Sequence, residues 1–101
     1  MLKKLQTLLN TRKYLVRLHA RERMIDRNIQ FQEIRESLNS GVIIETYQDD
    51  RPFPSFLILG FTKNNRPLHS IWALDDKNLA YLISAYDPDP NQWKEYKVRR
   101  K

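Results

Sequence analysis

A change in hydrophobic spacing at Gly41 constrains the fold more than any other feature of the sequence. Before Gly41, apolar residues recur every three or four positions, which is the spacing of an amphipathic helix. After Gly41, short apolar and β-branched runs are separated by Asn, Asp and Pro, which is typical of strands joined by turns. Gly41 itself is expected to end the last helix in a left-handed conformation. The helical pattern covers residues 2–10, 19–27 and 31–38, and the strand pattern covers residues 42–47, 55–63, 67–74 and 78–86.

Helices followed by strands predict an α+β fold. We expect N-terminal helices packed on one face of an antiparallel meander sheet of about four strands. Residues 14–18 are also β-prone and form either a first strand or an extended lead-in. The length of 101 residues predicts a single domain, 1–101, with a core over about 10–93 and a basic C-terminal tail over 94–101. One helical turn is expected around Trp93.

The turns between the last three long strands predict which residues face each other. A two-residue asparagine loop after the first of them would pair Gly60 with His69, and a tight turn after the second would pair His69 with Ser84. Because Gly60 has no side chain, a gap would then lie beside His69, with Ser84 and Tyr86 around it. This arrangement predicts a pocket for a polar ligand. The alternative is a half-buried histidine that is hydrogen-bonded to Ser84.

The net charge of +6 is divided unevenly along the chain. Residues 1–27 carry eight basic and two acidic side chains, and residues 92–101 carry five and one. Residues 28–91 carry nine acidic and five basic side chains. If the two ends meet in space, they form one basic face, which would favour a polyanion such as RNA or DNA through counterion release. Basic tails that only aid solubility are the alternative.

The composition excludes several classes of site. Without cysteine, the chain has neither disulfides nor thiolate metal ligands, and its two histidines alone make a poor metal site. We therefore expect no metal and no cofactor. The longest apolar runs are far shorter than the ~20 residues of a membrane span, so we expect a cytoplasmic protein with no membrane partner.

The segment 19–27 combines a histidine with three arginines. On a helix, His19, Arg23 and Arg27 are spaced four residues apart and share one face. Arginines in a row suit bidentate contacts to phosphate. The alternative is a solvated helix face with internal pairs, such as one between Arg23 and Asp26, each contributing little.

Several spaced motifs together resemble a family of small bacterial proteins of unknown function. The motifs are HARERMIDRNI (19–29), GVIIETYQDD (41–50), RPLHSIW (66–72) and LISAYDPDPNQW (82–93), within a resemblance that covers about residues 10–93. Members of that family are often encoded beside a small protein with a zinc-finger N-terminus of the kind found in antitoxins. More distantly, the layout resembles the RelE and MqsR toxins, which are mRNA endonucleases, either ribosome-dependent or free, with a helix pair on a sheet.

The resemblance implies a type II toxin of the RelE/MqsR fold that cuts RNA without a metal. Its partners would be RNA, free or as ribosome-bound mRNA, and a cognate antitoxin that can carry a zinc-finger N-terminus. The family signature maps onto His19, Arg23, Arg27, His69 and Tyr86.

Cleavage of this kind needs a base, an acid and cations that stabilise the pentavalent phosphorus. Histidine suits the acid or base role near neutral pH, so His69 or His19 is expected to fill it, with Tyr86 stacking or relaying a proton. We expect the cationic role to fall to a set of basic residues: Arg23, Arg27 and Arg66 on the phosphate, with Arg99, Arg100 and Lys101 attracting the RNA backbone. The competing hypothesis is a binding module that holds nucleic acid or protein on the same surface without cutting.

Overall fold

The computed structural model describes residues 2–101, and the helices and strands follow the change in spacing at Gly41. The helices are α1 (Leu2–Asn10), α2 (Leu18–Asp26) and α3 (Phe31–Asn39). The strands are β1 (Tyr14–Val16), β2 (Val42–Tyr47), β3 (Ser55–Phe61), β4 (Pro67–Leu74), β5 (Ala80–Tyr86), β6 (Trp93–Lys94) and β7 (Val98–Arg99). No helix within residues 2–101 has both the length and the apolar character needed to cross a membrane.

Five strands form the main sheet, in the order β1-β5-β4-β3-β2. Strands β2 to β5 are the predicted antiparallel meander, but β1 lies parallel to β5 at the edge. The prediction of a purely antiparallel sheet was therefore wrong, although the α+β class is confirmed. The added strand covers an edge of β5 that would otherwise be open. Two backbone bonds flank it, from Ala80 N to Lys13 O and from Arg17 N to Leu82 O, each at 3.0 Å.

The helices cover one face of this sheet and bury the core there. Leucines on one side of α1 and apolar residues of α3 pack against alternate side chains of β3, β4 and β5. The central side chain is Trp72, which is fully buried and whose indole N–H donates to Ser70 Oγ at 3.0 Å. The core includes Leu5, Leu8, Leu9, Ile34, Leu38, Phe56, Ile58, Leu68, Trp72 and Leu82.

The loop between β3 and β4 has one residue more than the sequence predicted. Thr62 N donates to Arg66 O at 3.0 Å, and Asn65 has a φ of 63°, so the loop contains three residues with a left-handed asparagine at its end. The extra residue shifts the register, and Gly60 pairs with Leu68 instead of His69.

Gly60 consequently faces helix α3 and leaves no gap beside His69. A methyl group at this position would overlap the carbonyl oxygen of Ser37, so the missing side chain allows α3 to approach the sheet. His69 instead pairs with Leu59 on one side and Tyr86 on the other. The turn after β4 moves the partner of His69 by one residue, since Leu74 pairs with Ala80, and an irregularity between Ile71 and Trp72 moves it by one more. The predicted pairing of His69 with Ser84 was wrong for these two reasons.

The residues that end the helices differ in part from the expectation. Asn28 separates α2 from α3 in a left-handed conformation, with a φ of 53°, which asparagine tolerates. Gln30 N at the start of α3 donates to Glu33 Oε1 at 2.9 Å. Gly41 is not left-handed, since no glycine has a positive φ in the described chain; Ser40 caps α3 instead.

The C-terminal residues form a hairpin where one helical turn was expected. Strands β6 and β7 pair antiparallel, with Trp93 opposite Arg99. Trp93 is buried because its indole ring packs on His69 of the main sheet, at 4.6 Å between ring centres. The hairpin therefore lies on the sheet face opposite to the helices, where β4 begins and β5 ends.

Candidate functional site

A cleft of about 570 Å³ lies where α2, the end of β5 and the C-terminal hairpin meet. Three arginines, two aromatic rings and the turn after β5 form its walls. Its lining residues are Arg23, Arg27, Tyr86, Asp87, Pro88, Asp89, Pro90, Gln92, Trp93 and Arg99. Four of the predicted site residues, Arg23, Arg27, Tyr86 and Arg99, are therefore together in one concave surface.

Arg23 and Arg27 enter the cleft from the last turn of α2 and its C-cap. Neither guanidinium makes a side-chain hydrogen bond or an ion pair with any group of residues 2–101, and the pairing of Arg23 with Asp26 considered above is not present. Their N–H donors therefore remain free for an anion in the cleft. A row of unpaired arginines differs from the self-paired helix face that was the alternative interpretation.

Arg99 is paired with a carboxylate and contacts an aromatic ring, yet it is still open to the cleft. Its Nε and a terminal nitrogen donate to the two carboxylate oxygens of Glu45, at 2.9 and 3.1 Å. Its guanidinium carbon lies 4.6 Å from the centre of the Trp93 ring, which places the cation against the ring. The side chain is 60% exposed, so donors remain for a ligand.

Glu45 keeps its negative charge beside Arg99. Burial would raise the pKa of its carboxyl, but hydrogen bonds from Arg99 and Tyr47 outweigh that effect and hold the pKa below its ordinary value. The Tyr47 phenol donates to the same carboxylate, and burial together with that bond raises the pKa of Tyr47 to about 12. Glu45 therefore anchors Arg99 at one rim of the cleft.

His69 lies directly behind the cleft wall, with none of its surface exposed. Nε2 is 2.6 Å from the carbonyl oxygen of Tyr96, which can only accept a hydrogen bond, so Nε2 carries the proton. Burial lowers the pKa of His69 below its usual range, and the imidazole is neutral at pH 7. Nδ1 therefore presents a lone pair.

That lone pair faces the hydroxyl of Tyr86, whose oxygen lies 3.3 Å from Nδ1. The rings meet edge to face, with 5.2 Å between their centres and an angle of 67° between their planes. Burial raises the pKa of Tyr86 above its ordinary value of 10, so the phenol is protonated and donates to His69. Tyr86 lines the cleft, so it connects a buried base to a surface that a ligand can reach.

Arg66 does not line this cleft. Its N–H donors are already hydrogen-bonded to other groups of the protein. Its Nε and a terminal nitrogen bind the carboxylate of Asp87, at 2.8 and 3.1 Å, while the other donors bind Glu33 and two backbone carbonyls. Those carbonyls belong to Arg27 and Asn28, at 2.9 and 3.0 Å. Arg66 thus joins α2, α3 and the end of β5, and the phosphate contact predicted for it would require an exchange of these partners.

Two carboxylates line the cleft as well. That of Asp87 is paired with Arg66, whereas Asp89 Oδ1 accepts the backbone N–H of Asn91 at 2.9 Å and shapes the turn. With Asp87 paired to Arg66 and Arg99 paired to Glu45, the lining charges without an ion pair in residues 2–101 are Arg23, Arg27 and Asp89, so the net charge that faces the cleft is positive. No set of three or more His, Asp or Glu side chains in residues 2–101 is arranged to hold a metal ion.

The remaining predicted residues lie outside the lining of the cleft. His19 is exposed and sits one helical turn before Arg23 on the same face of α2. Arg100 donates through Nε to the carbonyl oxygen of Pro90 at 2.8 Å, which places it beside the turn that forms one wall. Lys101 is exposed at the end of the chain.

Sequence reasoning missed the residues that support the site. Trp93, Tyr96 and Glu45 orient His69 and Arg99, but none of them was selected. The available signals were a carboxylate in the otherwise uncharged strand β2 and a tryptophan in a basic segment. The carbonyl of Tyr96 had none, since any residue supplies that group.

Comparison with known proteins returned one family. A model described as a domain of unknown function (DUF4258) matches residues 16–87. No curated protein and no solved structure matches the chain. The matched segment includes Arg23, Arg27, His69 and Tyr86, whereas Trp93, Tyr96 and Arg99 follow its end.

Proposed function

The chain belongs to the DUF4258 family of domains of unknown function, and we propose that it is an RNA endonuclease that works without a metal. In this proposal it is the toxin of a type II toxin–antitoxin pair, of the RelE/MqsR type. The toxin part follows from the sequence resemblance, and the nuclease part has support from the geometry of the cleft.

The observation that carries the proposal is the hydrogen-bonded pair of Tyr86 and His69 at the wall of a cleft with three arginines. A proton acceptor and several cations are what the cleavage of a phosphodiester by its own 2′-hydroxyl requires. The arginines of α2 have their donors free, and Arg99 is fixed in place by Glu45. An anionic backbone that enters the cleft would meet all three.

In the proposed reaction, the 2′-oxygen of the RNA attacks the adjacent phosphorus while Tyr86 accepts its proton. The phenol passes its own proton to Nδ1 of His69, which becomes an imidazolium that donates through both nitrogens, to Tyr86 and to the carbonyl of Tyr96. The imidazole thereby acts as the base although it is buried and touches no substrate. A positioned base of this kind contributes about 10²–10⁴-fold to a rate.

The arginines stabilise the negative charge that accumulates on the phosphorane oxygens. The bond from phosphorus to the 5′-oxygen then breaks, and the leaving oxygen takes a proton from water in the open cleft or from His19. The second source requires the RNA to extend one turn along α2. The products are a 2′,3′-cyclic phosphate and a free 5′-hydroxyl, and the proton on His69 returns to solvent.

The test is incubation of the purified protein with end-labelled single-stranded RNA in EDTA, with and without ribosomes. We expect cleavage that leaves 2′,3′-cyclic phosphate ends, and no cleavage of a 2′-deoxy oligonucleotide of the same sequence. Arg23→Gln should slow the reaction, whereas Lys4→Gln, which removes an exposed charge from α1 on the helix side, is the matched control. Intact RNA in both conditions would overturn the proposal.

The toxin part needs a separate experiment. Expression of the chain alone should arrest growth, and co-expression with its neighbouring gene should restore growth. If His69→Ala and Arg23→Ala variants that still fold remain fully toxic, the assignment of these residues is wrong.

The second candidate function is a binding module that holds RNA without cutting it. It is favoured by the complete burial of His69, which keeps the imidazole from direct contact with a ligand. A mobility shift of RNA that stays intact, with and without ribosomes, would support this function over the nuclease.

A further inference from the structure

A second groove, of about 430 Å³, lies on the same sheet face as the cleft, at the opposite end of β4 and β5. Its lining includes the buried Ala73, two half-buried aromatic residues and two exposed arginines; the aromatic residues are Phe53 and Tyr81, and the arginines are Arg17 and Arg51. The remaining lining residues are Asp50, Pro52 and Ile83. None of these residues belongs to the candidate site described above.

The strand register places the groove and the cleft on one face. His69 and Ala73 are four residues apart on β4, so their side chains point to the same side of the sheet. Tyr86 pairs with His69, and Tyr81 pairs with Ala73. The helices cover the other side. At about 3.3 Å per residue, the two sites are separated by roughly 13 Å along the strands, a distance that a few nucleotides can span.

Helix α2 runs beside β5 and carries cations past both sites. Arg17, at the N-cap of α2, lies over the ring of Tyr81, with 5.5 Å between the guanidinium carbon and the ring centre. Arg23 and Arg27, toward the other end, line the cleft beside Tyr86. A strand of nucleic acid that followed β5 would therefore have arginines along its length.

The chemistry of the groove fits a nucleobase. Two half-buried aromatic residues line the groove together with the small side chain of Ala73, and stacking on aromatic rings accepts any base. The Tyr81 hydroxyl donates to Asp75 Oδ2 at 2.8 Å, which fixes the orientation of this ring. The two exposed arginines supply the charge complementary to a phosphate backbone.

We infer that this groove is a second nucleotide-binding subsite, and that single-stranded RNA held in the cleft continues along β5 into it. The inference rests on the proposed function and adds the path of the substrate. It predicts that the affinity for RNA increases with the length of the oligonucleotide until both sites are occupied. Phe53 and Arg51 should contribute to the affinity only for oligonucleotides long enough to reach the groove.

The test is fluorescence anisotropy with labelled 2′-O-methyl oligonucleotides, which bind but cannot be cleaved through a 2′-hydroxyl. Phe53→Ala should weaken binding of an octanucleotide at least about fivefold, because stacking of one base is lost. Arg51→Gln should weaken it as well. Neither variant should change the affinity for a trinucleotide that occupies the cleft. The control Lys4→Gln, which removes an exposed charge far from both sites, should bind the octanucleotide like the wild type.

The outcomes separate this inference from the proposed function. One outcome is that Arg23→Gln weakens the binding of both oligonucleotides while the variants of Phe53 and Arg51 bind the octanucleotide normally. In that case the RNA passes through the cleft but not through the groove. If the wild type binds neither oligonucleotide, the path along β5 fails, whereas the nuclease proposal is decided by the cleavage assay with and without ribosomes. A circular dichroism spectrum and a melting curve of each variant show that the protein tested is folded.

Discussion

Replacement of Tyr86 by phenylalanine separates the chemistry of the site from its architecture. The substitution removes one hydroxyl and keeps the ring that packs edge to face on His69. At 3.3 Å the hydrogen bond to Nδ1 is long, so its loss should change the free energy of unfolding by no more than about 1 kcal/mol. The proton path from the RNA to His69, in contrast, is interrupted completely.

We therefore expect Tyr86→Phe to lower the single-turnover cleavage rate by about 10²–10⁴-fold, the range of a positioned base. The dissociation constant for uncleavable RNA should stay within about threefold of wild type, because the charged groups of the cleft are unchanged. The assay is cleavage of end-labelled RNA at saturating protein, with anisotropy for binding and urea denaturation for stability.

Tyr47→Phe is the matched control, since it also deletes a phenolic hydroxyl close to the site. Tyr47 donates to Glu45 and has no contact with Nδ1 of His69, so its variant should keep most of the cleavage rate. Wild-type cleavage by Tyr86→Phe would refute the proton path. A loss of RNA binding as large as the loss of rate would also refute it, because the hydroxyl would then be a binding group.

Three further predictions concern residues whose surroundings are well defined. Arg66→Gln should lower the free energy of unfolding by about 2 kcal/mol in urea, because partly buried carboxylates and carbonyls lose their donor, whereas Arg23→Gln should stay within about 0.5 kcal/mol of wild type. Burial lowers the pKa of His69, so the unfolded chain binds the proton first as the pH falls below 6.5; stability should decrease from there, and less so in His69→Gln. Gly60→Ala should destabilise by roughly 3 kcal/mol, seen as a lower melting temperature, because the methyl group meets the rigid backbone at Ser37.

Local sequence patterns were sufficient to predict most of the helices and strands, but they did not predict which residues of neighbouring strands pair. Strand β2 and strand β4 begin and end at the predicted residues, because their apolar runs are bounded by Gly, Pro and Asp. The predicted register was wrong at the loop after β3, where one additional residue moves every β4 partner of β3 by one position. Neither Asn64 nor Asn65 indicates alone whether the loop has two or three residues.

Four of the residues that were selected for their chemistry lie close together in the structure. Arg23, Arg27, Arg99 and Tyr86 share a cleft because α2 packs along β5 and the hairpin folds back onto the same end of the sheet. Helical spacing predicted the shared face of the first two. The position of Arg99 depends on the pairing with Glu45, across 54 residues of chain, and local pattern carries no information about such a contact.

The turn between β6 and β7 has an unfavourable backbone conformation, and that conformation determines which nitrogen of His69 carries the proton. Glu95 and Tyr96 have φ values of 54° and 62°, although a side chain in this region costs on the order of 1 kcal/mol for each residue. The buried ring of Trp93 and the contact of Tyr96 with Phe61, at 6.2 Å between ring centres, offset that cost. The same conformation points the Tyr96 carbonyl at Nε2 of His69. In the described part of the chain this carbonyl is the group that fixes the proton on Nε2, so the hairpin, which follows the segment matched by the family, determines which nitrogen of His69 can act as a base.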